Sequence, residues 1–154
     1  MKGFEGFIDA DSAMQEHRLV IMGYTLLINR GAIFWSSKKQ ENITLATTES
    51  EYVAATHAAK EAIWLCQCIG EVFQPLTNPI PLYSDSQATI ALTCDGSYHT
   101  PTKHIDIQYF IQFVVNSGTI NLIYCPTDDM VANTLSKALP NIKVKHFTFV
   151  PGLQ

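Results

Sequence analysis

Three carboxylates and one carboxamide stand where a folded chain can do chemistry: Asp9, Glu51, Asp85 and Asn133. Asp9 closes the apolar run Phe7-Ile8. Glu51 lies at the start of a long helical pattern, in Thr48-Glu49-Ser50-Glu51. Asp85 follows the strand-like run Leu82-Tyr83-Ser84, and Asn133 lies in a late helical pattern. Strand ends and helix starts of a single sheet tend to gather at one edge. Carboxylates gathered there repel one another unless a divalent cation lies among them. The pattern therefore predicts a metal-dependent catalytic site. Taken singly, each residue has a plainer role. Asp9 would be a turn aspartate bonded to its own backbone, Glu51 one half of a Thr48-x-x-Glu51 capping box, and Asp85 a helix N-cap. The combination is what favours chemistry.

The elements that must carry these residues follow from periodicity. Gly6–Asp9 reads as a short strand, and Val20–Asn29 as a second rich in strand formers. Asn29-Arg30-Gly31 is a hairpin turn leading to a third strand over Ala32–Ser36. From Thr48 to about Phe73 the pattern is helical, with Ala55, Ala58, Ala62, Leu65, Ile69 and Phe73 on one face. Glu51 shares that face, whereas Glu49 is rotated by about 200° from it at ~100° per residue. The proline-rich 75–81 segment ends the helix, and Ile80–Ser84 is a fourth strand. A short helix over Ser86–Cys94 and another from Thr100-Pro101 to Ser117-Gly118 come next. Thr119–Cys125 is a fifth strand, after which Thr127-Asp128-Asp129 caps a last helix ending near Pro140. The order β-β-β-α-β-α-α-β-α predicts an α/β chain: a mixed five-stranded sheet with helices on its faces.

Length and composition agree with a single domain. The chain has 154 residues, 47% hydrophobic and 16% charged, which suits a packed core. No apolar run reaches the roughly 18 residues a membrane span needs. Met1–Gly6 lacks the apolar stretch of a signal peptide, so a cytoplasmic location is expected. Cys66, Cys68, Cys94 and Cys125 and the five histidines show no paired metal-ligand spacing, which argues against structural zinc. The net charge of −4 argues against binding through a broadly basic surface. Local basic contacts remain available at Lys38-Lys39, Lys60, Lys103-His104 and Lys143-Val144-Lys145-His146.

A further observation lies in the motifs as strings. Phe-Ile-Asp-Ala-Asp (7–11), Trp-Ser-Ser-Lys-Lys-Gln (35–40) and Thr-Thr-Glu-Ser-Glu-Tyr-Val-Ala (47–54) occur in that order. Leu-Tyr-Ser-Asp-Ser-Gln-Ala-Thr-Ile-Ala-Leu (82–92), Thr-Lys-His-Ile-Asp-Ile (102–107) and Ala-Asn-Thr-Leu-Ser-Lys-Ala-Leu-Pro (132–140) follow. This series, covering Gly6 to Pro140, resembles the ribonuclease H domain of copia-type retrotransposon Pol polyproteins. The resemblance implies a ribonuclease H-like fold over residues 1–140, with 141–154 a C-terminal tail. It implies hydrolysis of the RNA strand of an RNA/DNA hybrid by four acidic residues holding two Mg²⁺ ions, with Mn²⁺ as the alternative. By motif match those positions are Asp9, Glu51, Asp85 and Asn133; Asp11 is the weaker candidate for the first. Two such ions roughly 4 Å apart activate the attacking water and stabilise the leaving 3′-oxygen. Selection for RNA is expected through 2′-hydroxyl contacts near Asp11, Ser12, Ser50, Ser86 and Gln87. Lys38, Lys39, Lys103 and His104 are expected at phosphates. The implied partners are the hybrid and the reverse transcriptase domain of the same polyprotein, with the isolated domain a monomer and the setting a virus-like particle. Met1 directly before the domain suggests an excised fragment.

Two positions depart from the family pattern. Asn133 stands where the family has aspartate. An amide oxygen can coordinate a metal but brings no charge and accepts no proton, so weakened metal occupancy and reduced cleavage are expected. Asp129, about 6 Å earlier along the helix, is a poor substitute. Ser12 replaces a tryptophan and concerns packing or substrate fit. The rival reading is a non-catalytic hybrid-binding or connector module of the same fold. An integrase core is disfavoured, because it places its glutamate late in the chain.

Overall fold

Five strands form one mixed sheet in the order β3-β2-β1-β4-β5, with β1 (Phe4–Asp11) at its centre. β1 pairs antiparallel with β2 (Ile21–Ile28), which pairs antiparallel with β3 (Gly31–Lys39). On the other side, β1 runs parallel to β4 (Ile80–Ser84), and β4 to β5 (Ile120–Tyr124). The computed structural model describes residues 3–11, 20–40, 47–73, 75, 77–94 and 105–137. The expected tail over 141–154 and the helix start at Thr100-Pro101 lie outside the described residues.

The expected hairpin is present. Asn29 and Arg30 both adopt positive φ, at 50° and 67°, the backbone of a two-residue turn whose twist matches its strands. β3 runs three residues beyond the expected Ser36, so Lys38 and Lys39 sit on a strand.

Alternation along β1 sends Ile8 and Ala10 to one face and Phe7 and Asp9 to the other. The first face carries the main core. There α1 (Thr47–Val72) lays Ala54, Ala55, Ala58, Ala59 and Ala62 against the sheet, together with Leu82 and Ile111. The alanine stripe keeps this face of the helix thin. Phe73, expected on the same face, lies just past the helix end and is 69% exposed. α2 (Gln87–Cys94) and α3 (Ile105–Asn116) complete this layer.

Among the described residues, the second face carries a smaller cover. Here the expected long last helix is replaced by a 3-10 turn, Thr127–Asp129, and a four-residue helix α4, Asn133–Ser136. Between them Met130, Val131 and Ala132 are buried, with Met130 and Ala132 packed beside Phe7 and Tyr83. Burying that apolar triplet takes the chain out of a continuous helix.

Candidate active site

The sheet itself brings two of the carboxylates together. The parallel register pairs Ile8 with Ser84, so Asp9, the next residue of β1, lies beside Asp85, the first residue past β4. Glu51 arrives from the first turns of α1. Asp9, Glu51 and Asp85 each offer an oxygen, and all three oxygens lie within 4.8 Å of one another.

None of the three plays the plain local role that its sequence context allowed. Glu51 does not close a capping box on Thr48. Its Oε1 instead accepts a hydrogen bond from the Ala10 N–H of β1, at 3.2 Å. The N-cap of α2 is Ser86, whose Oγ accepts from the Thr89 N–H at 3.3 Å, leaving Asp85 to accept from Thr127 Oγ1 at 2.9 Å. Thr127 is the first residue of its 3-10 turn, and Pro126 holds the N-cap position. Asp9 lies inside β1, 1% exposed, opposite Gly23.

The fourth position reaches the same place by way of the sheet's second face. Antiparallel pairing puts Asp9, Gly23 and Ser37 in one row across β1, β2 and β3. α4 lies along that row. Ser136 Oγ donates to Asp9 Oδ2, Ser37 Oγ donates to the Leu135 carbonyl at 2.5 Å, and the bare Cα of Gly23 faces Leu135. A Cβ on Gly23 would come within 2.8 Å of Leu135 Cβ and 3.1 Å of the Ala132 carbonyl oxygen. Asn133 is therefore buried close to Asp9. Its Nδ2 donates to the Thr127 carbonyl at 2.7 Å, while its Oδ1 accepts from Lys137 Nζ at 2.8 Å. The same ammonium donates to Asp9 Oδ1 at 3.0 Å. Asp129 lies on the separate 3-10 turn and is exposed, so it does not share the Asn133 helix.

The electrostatics are those of charge held out of water. Burial, reinforced by the charges of Asp9 and Asp85, pushes the Glu51 carboxyl from 4.5 up to about 8. Burial also raises Asp9, against the opposing pull of Ser136 and Lys137. Among the described residues, Glu51 Oε2 is buried without a hydrogen-bond partner. A buried carboxylate oxygen left unpaired is costly, and this one belongs to the cluster of three. Carboxylate oxygens are the ligands that hard divalent cations prefer, so Asp9, Glu51 and Asp85 fit such an ion. The Asn133 amide oxygen is a neutral fourth donor nearby.

Four residues position the site: sequence reasoning read Thr127 as a helix cap and did not single out Gln40, Ser136 and Lys137. Gln40 Nε2 donates to the Ser50 carbonyl at 2.8 Å and ties the end of β3 to the start of α1. Thr127, Ser136 and Lys137 hold Asp85, Asp9 and Asn133. Gln40, Ser136 and Lys137 lie inside the motifs quoted above, and the i+3 and i+4 spacing from Asn133 places Ser136 and Lys137 on its helix face. Among the expected substrate contacts, Asp11 and Ser86 are half-buried, and Gln87, Lys38 and Lys39 are exposed. Ser50 is fully buried. Ser12, Lys103 and His104 lie outside the described residues.

A mixed sheet in this order, with Asp9 inside β1 and Asp85 just past the end of β4, is the ribonuclease H-like fold. The chain superposes on LC11 RNase H1, solved in complex with an RNA/DNA hybrid, with a TM-score of 0.62 at 14% identity, covering 86% of this chain and 93% of that one. On the foamy viral protease-reverse transcriptase, also solved with an RNA/DNA hybrid, the TM-score is 0.58 at 14% identity, covering 86% of this chain and 19% of that one. In sequence the chain belongs with the retrovirus-related Pol polyproteins of transposons. It is 37% identical over 141 residues, 90% of its length, to that of the Nicotiana tabacum transposon TNT 1-94. To that of the Arabidopsis thaliana transposon RE1 it is 33% identical over 149 residues, 96% of its length. It spans 10% of the length of each of these relatives. No protein-family model matches the chain. No helix among the described residues is long and apolar enough to cross a membrane.

Proposed function

We propose that this chain is the ribonuclease H domain of a retrotransposon Pol polyprotein and hydrolyses the RNA strand of RNA/DNA hybrids with divalent metal, with its activity lowered by Asn133. The observation that carries the reading is the meeting of Asp9, Glu51 and Asp85 oxygens within 4.8 Å, one of the three side chains having a buried oxygen with no partner. Asp9, Glu51 and Asp85 would hold the metal, with the Asn133 amide as a weak fourth ligand. Mg²⁺ is the expected ion and Mn²⁺ the alternative. When bound, such ions supply positive charge to the attacking water and to the departing 3′-oxygen of a phosphodiester.

The chain's own residues then set geometry. Ala10 N–H and Ser136 Oγ aim Glu51 and Asp9, Thr127 Oγ1 aims Asp85, and the sheet fixes the spacing of the two aspartates. Asp11, Ser86 and Gln87 flank the centre and are assigned to 2′-hydroxyl recognition across the wide minor groove. The exposed Lys38 and Lys39 are assigned to phosphates. The relatives extend well beyond this domain, and the reverse transcriptase portion of such a polyprotein is the proposed neighbour, with the isolated domain a monomer.

One observation favours the rival, a hybrid-binding or connector module without cleavage: Asn133 and Lys137 leave the centre with less negative charge than four carboxylates would. Cleavage of a labelled RNA/DNA hybrid in Mg²⁺ separates the two. We expect weak cutting by this chain and strong cutting by Asn133→Asp. Silence from both, with hybrid binding intact, establishes the connector. Loss of all cutting in Asp85→Asn ties the activity to this centre.

A further inference from the structure

Both oxygens of Asp9 are engaged. Oδ2 accepts from Ser136 and Oδ1 from Lys137. The Asn133 oxygen that would serve as a metal ligand accepts from the same Lys137 ammonium at 2.8 Å. One cation thus bridges two of the four positions at which the reading above places a metal. Glu51 differs, since its Oε2 is buried with no hydrogen-bond partner among the described residues.

We propose that Lys137 is an internal counter-cation of the carboxylate centre, which a divalent ion must displace in order to engage Asp9 and Asn133. The proposal rests on the metal-site reading of that centre. Of the two groups on Asp9, Lys137 is the one able to leave. Ser136 is 4% exposed and tied into α4, whereas the Lys137 side chain is 30% exposed on a flexible four-carbon stem. Lys137 is also the residue at which the chain leaves α4 for extended backbone, with φ −123° and ψ 146°. In the metal-free chain the ammonium offsets the repulsion between Asp9 and its acidic neighbours. When an ion binds, the same ammonium is a like charge beside it and swings toward solvent.

Calorimetric titration of the whole chain with Mg²⁺ at fixed pH tests this, alongside Lys137→Met and, as a second variant of similar length, Lys137→Gln. Circular dichroism establishes that each is folded. We expect both variants to bind Mg²⁺ tighter by about tenfold, the scale of one charge-assisted hydrogen bond. Their metal-free Tm should fall, and the rise in Tm on adding Mg²⁺ should grow. Measurable binding by the parent chain with equal or weaker binding by both folded variants overturns the competition alone. Absence of Mg²⁺ binding in parent and variants alike overturns the metal site, and the competition with it.

Discussion

Glu51 Oε1 accepts from the Ala10 N–H at 3.2 Å, so the glutamate of α1 is fastened to the strand residue next to Asp9. Its other oxygen is buried and unpaired, and its carboxyl is pushed from 4.5 up to about 8, first by burial and then by Asp9 and Asp85. A folded value above the unfolded one means that the native chain keeps a proton which the unfolded chain releases. Without metal, this group's contribution to stability should therefore decline as pH rises from about 4.5 to about 8 and level off above. Thermal melts in a chelator should show Glu51→Gln gaining on the parent chain across that window. Mg²⁺, which favours the charged form, should flatten the parent's decline. Identical pH slopes for parent and variant would rule out Glu51 as the source.

Gln40 links the end of β3 to the start of α1 through the bond from its Nε2 to the Ser50 carbonyl. Its Oε1 is buried without a partner. Gln40→Met keeps the length, loses the bond and removes the unpaired oxygen, so the two effects on stability oppose each other. A change within about 1 kcal/mol is expected. Mg²⁺ affinity should drop by a larger factor than stability, because the turn carrying Glu51 loses its tether. An unchanged metal affinity would show that α1 is positioned by its alanine face alone.

Much of this was legible before the structure. Asp9 and Asp85 announced themselves as acidic residues following apolar runs, and helical phase distinguished Glu51 from Glu49. Asn29-Arg30 marked its hairpin. What no local pattern states is which strands pair: the adjacency of Asp9 and Asp85 comes from a parallel register between strands separated in the chain by β2, β3 and all of α1. The misreading of 127–140 has the same origin. Thr127 followed by two aspartates looks like a helix cap, yet its hydroxyl is used by Asp85, and the buried Met130 turns the chain inward. Phe73 continued the helical stripe of α1 in sequence but lies beyond the end of the helix. Ser136 and Lys137 were visible as motif letters; their roles depend on α4 lying across Asp9.

That placement depends on a missing side chain. Gly23 lies between Asp9 and Ser37 in the cross-strand row, and a Cβ there would meet Leu135 Cβ at 2.8 Å and the Ala132 carbonyl at 3.1 Å. Both atoms belong to the segment that carries Asn133, and the second is backbone, which cannot rotate away. Gly23→Ala should destabilise by about 1–3 kcal/mol through overpacking, lowering Tm by about 2–4 °C per kcal/mol for a chain of this size. It should also weaken Mg²⁺ binding by lifting Ser136 and Asn133 from Asp9. A variant as stable as the parent would mean that α4 shifts without cost and is not a fixed part of the site.

Asn133→Asp exchanges stability for charge. The Asn133 Nδ2 donates to the Thr127 carbonyl at 2.7 Å, and a carboxylate cannot make that bond. It would face the carbonyl oxygen instead, in a site where the residue is 3% exposed. Lys137, already at 2.8 Å from the side-chain oxygen, would recover part of the loss through a full ion pair. In a chelator the variant should be less stable by about 1–3 kcal/mol. In saturating Mg²⁺ the order should narrow or reverse, since the added carboxylate strengthens ion binding and binding to the native state raises its stability. Paired melts with chelator and with Mg²⁺ measure both halves. A variant that is destabilised equally in both conditions would show that position 133 does not reach the ion.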